Sequence, residues 1–133
     1  GKMKEPIWLL TDAIVAVQST LIAEHGGLSG VRDPDLLESA LAQARTRYAY
    51  DPETTLFDLA AAYAFGLARS HPFLDGNKRI AITAVAMFLG VNDFRFVPDK
   101  LDALKTFLAL AAGGVEESEL AQWIAANAES AVG

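Results

Sequence analysis

A chain of 133 residues fits one domain, one that buries about two thirds of its unfolded surface. Apolar residues make up 52% and charged residues 21%, which excludes a disordered chain; the absence of cysteine excludes disulfides, thiolate nucleophiles and cysteine-held zinc or iron–sulfur centres. The net charge of −6, from 17 acidic and 11 basic residues without a long basic run, argues against nucleic acid as the main partner.

Gly1-Lys2, ahead of Met3, reads as extraneous to a single domain taken over 1–133. Lys2 and Lys4, then Glu5-Pro6 and Asp12, do not make a signal peptide. The longest uncharged apolar run, Ile80 to Val91, is twelve residues, against the roughly twenty that a membrane span needs. The expectation is a soluble, cytoplasmic protein with no membrane partner.

The predicted elements are helices separated by Gly, Pro and Asp. Thr11-Asp12 is a candidate N-cap, with Ala13, Ile14, Val17, Leu21 and Ile22 following at helical spacing, and Gly26-Gly27 ends that helix in a left-handed turn. His25 reads as part of that C-terminal cap rather than a ligand. Asp33-Pro34 opens a second helix carrying Leu36, Leu37, Leu41 and Ala44. Tyr48 to Glu53 reads as a loop turning at Asp51-Pro52. Thr55 with Asp58 makes a capping box for a third helix, alanine-rich nearly all round and therefore central.

A fourth helix, from Gly76 or Asn77 to Leu89, is apolar on every side after Arg79 and should form the core. Gly90 to Val97 is a connector in which Phe94, Phe96 and Val97 suit a short extended piece. Pro98-Asp99 starts a fifth helix, which runs through Leu110 and stops at Gly113-Gly114. A sixth runs from Glu116 to about Ala128, with acidic residues in its first turn. Trp8, Met87, Phe88 and Trp123 read as core. The fold class is all-α, a compact bundle of about six helices.

The junction between the third and fourth helices breaks the rules followed elsewhere. A helix N-terminus carries partial positive charge, so cations there are unfavourable by roughly 0.3–1 kcal/mol each. Lys78 and Arg79 nevertheless sit in the first turn of the most apolar helix. Either both side chains simply reach back into water, or they join free backbone amides in an anion site. His71 lies six residues before Asn77, Asp75 sits in the intervening turn and can offer oxygen to a divalent metal, and Phe73 can anchor the turn. A base, a metal-binding carboxylate and an anion-binding helix end are the parts that phosphoryl transfer requires.

The segment His71-Pro72-Phe73-Leu74-Asp75-Gly76-Asn77-Lys78-Arg79 resembles the Fic/Doc signature, His-x-Phe-x-(Asp/Glu)-Gly-Asn-(Gly/Lys)-Arg, at every fixed position. The resemblance extends through Glu24 to Leu28, Arg32-Asp33-Pro34 and Ala60 to Tyr63, covering most of residues 24 to 90. It implies the Fic/Doc fold and assigns roles residue by residue. His71 is the general base that takes the proton of a target hydroxyl. Asp75 holds Mg²⁺ on the phosphates of ATP, Gly76 and Asn77 line the phosphate turn, and Arg79 pairs with phosphate oxygens.

Lys78 stands where AMP-transferring Fic enzymes have a glycine, and Ile82 where they have a second arginine, so the resemblance is to the Doc (death-on-curing) toxin branch. That branch implies a catalytic site of His71, Lys78 and Arg79 acting as a protein kinase, which moves the γ-phosphate of ATP to a Ser or Thr hydroxyl. The target type it implies is a translation elongation factor, with elongation factor Tu as the candidate. It also implies an antitoxin whose disordered tail folds as a helix against the toxin. Gly76 is Fic-like where Doc has alanine, and Thr83 replaces a Doc asparagine. AMP transfer from the same site is the alternative chemistry, and a catalytically silent interaction module the alternative of another class. Arg45, Arg47 and Tyr48 either border the cleft or belong to a solvated surface, the second being favoured.

Overall fold

Residues 2–132 are described by the computed structural model; Gly1 and Gly133, the ends of the expected 1–133 domain, lie outside them. The expected punctuation yields α1 (Thr11–His25), α2 (Pro34–Tyr50), α3 (Leu56–Ser70), α4 (Asn77–Val91), β1 (Phe94–Phe96), α5 (Lys100–Ala111), α6 (Glu117–Ala126) and β2 (Ala128–Ser130). The fold is all-α apart from the two short strands, which pair antiparallel with Phe94 opposite Ser130 and Phe96 opposite Ala128. The Lys2 ammonium lies 4.2 Å from the centroid of the Tyr48 ring.

Local chemistry sets most of the helix starts. Asp33 accepts from the amides of Asp35 and Leu36, Pro34 occupies the first turn, and α2 begins. The Thr55 hydroxyl accepts from the Asp58 amide while the Asp58 carboxylate accepts from the Thr55 amide, closing the expected capping box of α3. Asp99 accepts from the Asp102 amide and starts α5.

Boundaries differ from expectation in four places. α1 starts at Thr11 with Leu10 at its N-cap and no side-chain cap, and Gly26 leaves it at φ 85° and ψ 169°, positive in φ but not left-handed helical. Helical hydrogen bonding carries α2 on to Tyr50, because Asp51, before Pro52, is the first residue pushed into extended backbone. α4 runs to Val91, and α6 ends at Ala126 because the chain then turns into β2.

α3 is the centre of the bundle. Every residue from Leu59 to Ala64 is buried, as are Gly66, Leu67 and Ala68, and α2, α4, α5 and α6 all pack around it. Small side chains let neighbours come close. At Gly66 a Cβ would meet the Ala40 carbonyl oxygen at 2.9 Å, so α2 can lie this near only because the position is glycine. Tyr63 is fully buried, its hydroxyl accepting from the Leu9 amide at 3.2 Å, and burial pushes its phenol pKa up despite that bond and nearby Arg45. α4 buries Ile80, Ala81, Ala84, Val85, Phe88 and Leu89 but leaves Ala86 and Gly90 exposed. The expectation that it is core on every side therefore fails, and the open face adjoins the site described below.

Candidate active site

The site forms where α3 ends and α4 begins. His71 terminates α3 in the left-handed region, at φ 52° and ψ 58°, an uncommon conformation for a residue with a Cβ. Pro72 and Phe73 then turn inward. Phe73 is 1% exposed and joins the core. The Asn77 side chain closes the turn on itself, its Oδ1 accepting from the Phe73 amide and its Nδ2 donating to the Phe73 carbonyl, each at 3.0 Å. Asn77 thus lines the cleft while its amide is spent on holding the loop.

Gly76 stands at the N-cap of α4 with φ 74° and ψ 21°, a left-handed position that any other residue type would strain. No side chain caps α4 there, which leaves the first amides of the helix open to an anion. A cleft of about 430 Å³ opens in front of them, in the size range of small-ligand sites. His71, Asp75, Gly76, Asn77, Lys78 and Arg79 all line it, with Leu104, Phe107 and Leu108 of α5 on the opposite wall. Lys78 and Arg79 are exposed, and among the described residues neither has a carboxylate within ion-pair distance.

The loop from Leu28 to Asp33 lies along the motif. The Asp75 Oδ2 accepts from the Leu28 amide at 2.6 Å, Gly30 accepts from Leu74, and Pro72 accepts from both Arg32 and Asp33. Val31 and Phe73 form an antiparallel bridge between the two segments. Gln18, 1% exposed, ties both to α1: Nε2 donates to the carbonyls of Asp75 and Leu28 at 3.1 and 3.4 Å, and Oε1 accepts from the Gly30 amide. Each hydrogen-bonding end of a buried amide is therefore used. A polar residue on the stripe of Ile14 and Ile22 is the only mark that the sequence itself gives of Gln18, and it does not name the partners.

The remaining candidates lie elsewhere. Arg47 joins Asp51, Asp58 and Glu117 at 3.4, 3.9 and 3.0 Å, tying α2 to the start of α3 and to α6. Arg45 covers the Trp8 ring, and the Tyr48 hydroxyl donates to the Met3 carbonyl. None of the three lines the cleft: Arg45 is exposed, as the favoured surface reading has it, while Arg47 and Tyr48 are half-buried in packing contacts. His25 closes α1 and pairs with Glu24 at 3.8 Å in solvent. Trp8, Met87 and Trp123 are partly buried against the core, and Phe88 is inside it. Leu101, Leu104 and Leu108, one helical stripe on α5, are 58%, 52% and 47% exposed.

Comparison with known proteins agrees with this geometry. The family model described as Fic/DOC family matches residues 8–89, which include the whole motif turn and the loop clamped to it. A protein of Escherichia phage P1, "Protein kinase doc", is 32% identical over 110 residues, which is 83% of this chain and 86% of that protein. "Toxin Doc" of Mycolicibacterium smegmatis is 43% identical over 75 residues, 56% of this chain and 58% of that one. The chain belongs to the Fic/Doc family, on its Doc branch.

Proposed function

We propose that this protein is a Doc-type toxin and a transferase that moves the γ-phosphate of ATP onto a Ser or Thr hydroxyl of a target protein. The observation that carries the reading is the grouping of Lys78 and Arg79, free of carboxylate partners among the described residues, with His71 around one cleft at an uncapped helix N-terminus. That arrangement recognises a polyphosphate by charge and by backbone amides together. His71 takes the proton of the acceptor hydroxyl as its oxygen bonds to the γ-phosphorus. The bond to the bridging oxygen breaks, and ADP leaves with the electron pair. Arg79 and Lys78 hold the phosphate oxygens in line.

Asp75 is the carboxylate that lines the cleft. Its Oδ2 serves the Leu28 amide, and Oδ1 accepts no hydrogen bond among the described residues, so one oxygen suits a Mg²⁺ ion that arrives with the nucleotide. When bound, that ion would neutralise charge on the phosphates.

The experiment is incubation with ATP labelled at the α- or the γ-phosphate and a candidate acceptor, elongation factor Tu first. Label from γ alone on the acceptor, and one phosphate added to its intact mass, is the expected result. Label from α identifies AMP transfer instead, and no label from either, with growth inhibition retained, identifies a silent interaction module.

The toxin reading brings an antitoxin as second partner. Its helical tail fits the exposed stripe of Leu101, Leu104 and Leu108, since Leu104 and Leu108 also wall the cleft and a helix laid there covers it. Lys100 and Lys105 flank the stripe and favour an acidic segment. Leu101 lies outside the cleft lining, so Leu101→Asp should weaken antitoxin binding by about 10-fold or more, measured by calorimetry, with phosphate transfer unchanged.

A further inference from the structure

We infer that Arg32 is a positioning residue for His71, its guanidinium holding the end of α3 in the left-handed turn that aims the imidazole into the cleft. The inference rests on the reading of His71 as the base. For a residue with a Cβ the left-handed region is disfavoured by roughly 1–2 kcal/mol, and it persists only where surrounding contacts hold it. At His71 the contacts are on hand. Arg32 Nε donates to the His71 carbonyl at 2.8 Å and Nη2 donates to the Ser70 carbonyl at 3.1 Å.

These are carbonyls at the open end of a helix, where intrahelical donors have run out and a cation is electrostatically favoured. The next carbonyl, that of Pro72, accepts from the backbone amides of Arg32 and Asp33 at 2.8 and 3.1 Å. Three successive carbonyls, of residues 70, 71 and 72, are thus received by one short segment. That segment is fixed in turn, because Asp33 is the N-cap of α2 and α2 packs along α3.

Among the described residues Arg32 has no carboxylate within ion-pair distance, and it does not line the cleft. Its bonds go to the backbone of the proposed base, not to substrate. Relaxation of His71 to right-handed or extended backbone would swing its Cβ, and the imidazole with it, away from the acceptor hydroxyl. Misplacement by about 1 Å can lower a rate by as much as about 100-fold.

Arg32→Ala and Arg32→Lys test the role, read by steady-state kinetics and by the imidazole signals in ¹H–¹³C spectra. The chain has two histidines, His25 and His71, and His71→Ala assigns them. In Arg32→Ala, kcat should fall between about 10- and 100-fold while the KM for ATP changes less than about twofold, since no phosphate contact is lost. Millimolar guanidinium should restore part of kcat in Arg32→Ala and do nothing for the parent protein. Arg32→Lys, with one donor position in place of a fork, should fall between. The His71 signal should move toward that of an unstructured histidine while that of His25 stays.

Unchanged kcat with an unmoved His71 signal overturns the inference. So does a parallel loss of kcat and KM with no guanidinium rescue, which marks general loosening of the fold. If the parent protein transfers neither phosphate nor AMP, the proposed function fails by itself, and the His71 signal still decides whether Arg32 sets that side chain.

Discussion

His71→Ala should lower the proposed γ-phosphate transfer by about 10²–10⁴, the range that a general base supplies, and should relieve growth inhibition in cells that express the protein. Loss of the proposed base would leave the proposed phosphate contacts of Lys78 and Arg79 in place, so the fall should be in kcat with little change in the KM for ATP. An alanine that retained transfer within a few fold would remove His71 from the mechanism. Growth inhibition that survived while transfer disappeared would make the protein an interaction module whose motif is architecture alone.

The same position separates function from folding. At φ 52° and ψ 58° a side chain is strained, so His71→Gly should be more stable than His71→Ala by about 1 kcal/mol, the reverse of the order inside a helix. Denaturant midpoints of the two variants measure the difference. Both should be inactive, and the less strained one should be the more stable. The strain then belongs to the placement of the imidazole, with the Arg32 fork as its counterweight.

Where the chain could be read in advance, the controlling interactions span a few residues. Thr55 and Asp58, or Asp33 and Pro34, meet within one helical turn, so their caps are written in the local sequence. The motif is equally local: Asn77 folds back on Phe73 four residues away, and Gly76 takes a left-handed conformation that favours glycine. Where the reading failed, the partner is remote. Ala128 to Ser130 carries no alternation, and it becomes a strand only because Phe94 to Phe96 lies alongside. Arg32 meets carbonyls 38 and 39 residues further on, and nothing near it in sequence foretells that. Leucines at 101, 104 and 108 have the spacing of a buried stripe, and periodicity cannot say whether the chain itself or another molecule covers it.

Lys78 and Arg79 lie on the other side of that division, because cations in the first turn of an apolar helix are anomalous on sequence alone, and they make the sharper energetic test. On the proposed function Arg79→Ala would remove charge-assisted bonds to phosphate worth about 1.5–3 kcal/mol, so kcat/KM for ATP should fall by roughly 10- to 100-fold. Arg79→Lys should recover part of it, since the charge remains and the fork is lost. Folding should respond with the opposite sign. Among the described residues Arg79 has no carboxylate partner, and it sits against the positive end of α4. Removing its charge should therefore raise stability of the nucleotide-free protein by about 0.3–1 kcal/mol. Saturating ATP should reverse the ranking, because bound nucleotide stabilises the parent protein more than the variant. Melting curves with and without Mg-ATP, set beside the kinetics, read both signs in one experiment. A variant less stable than its parent in the absence of nucleotide would show that Arg79 serves the fold, and the proposed anion site would then lose one of its two cations.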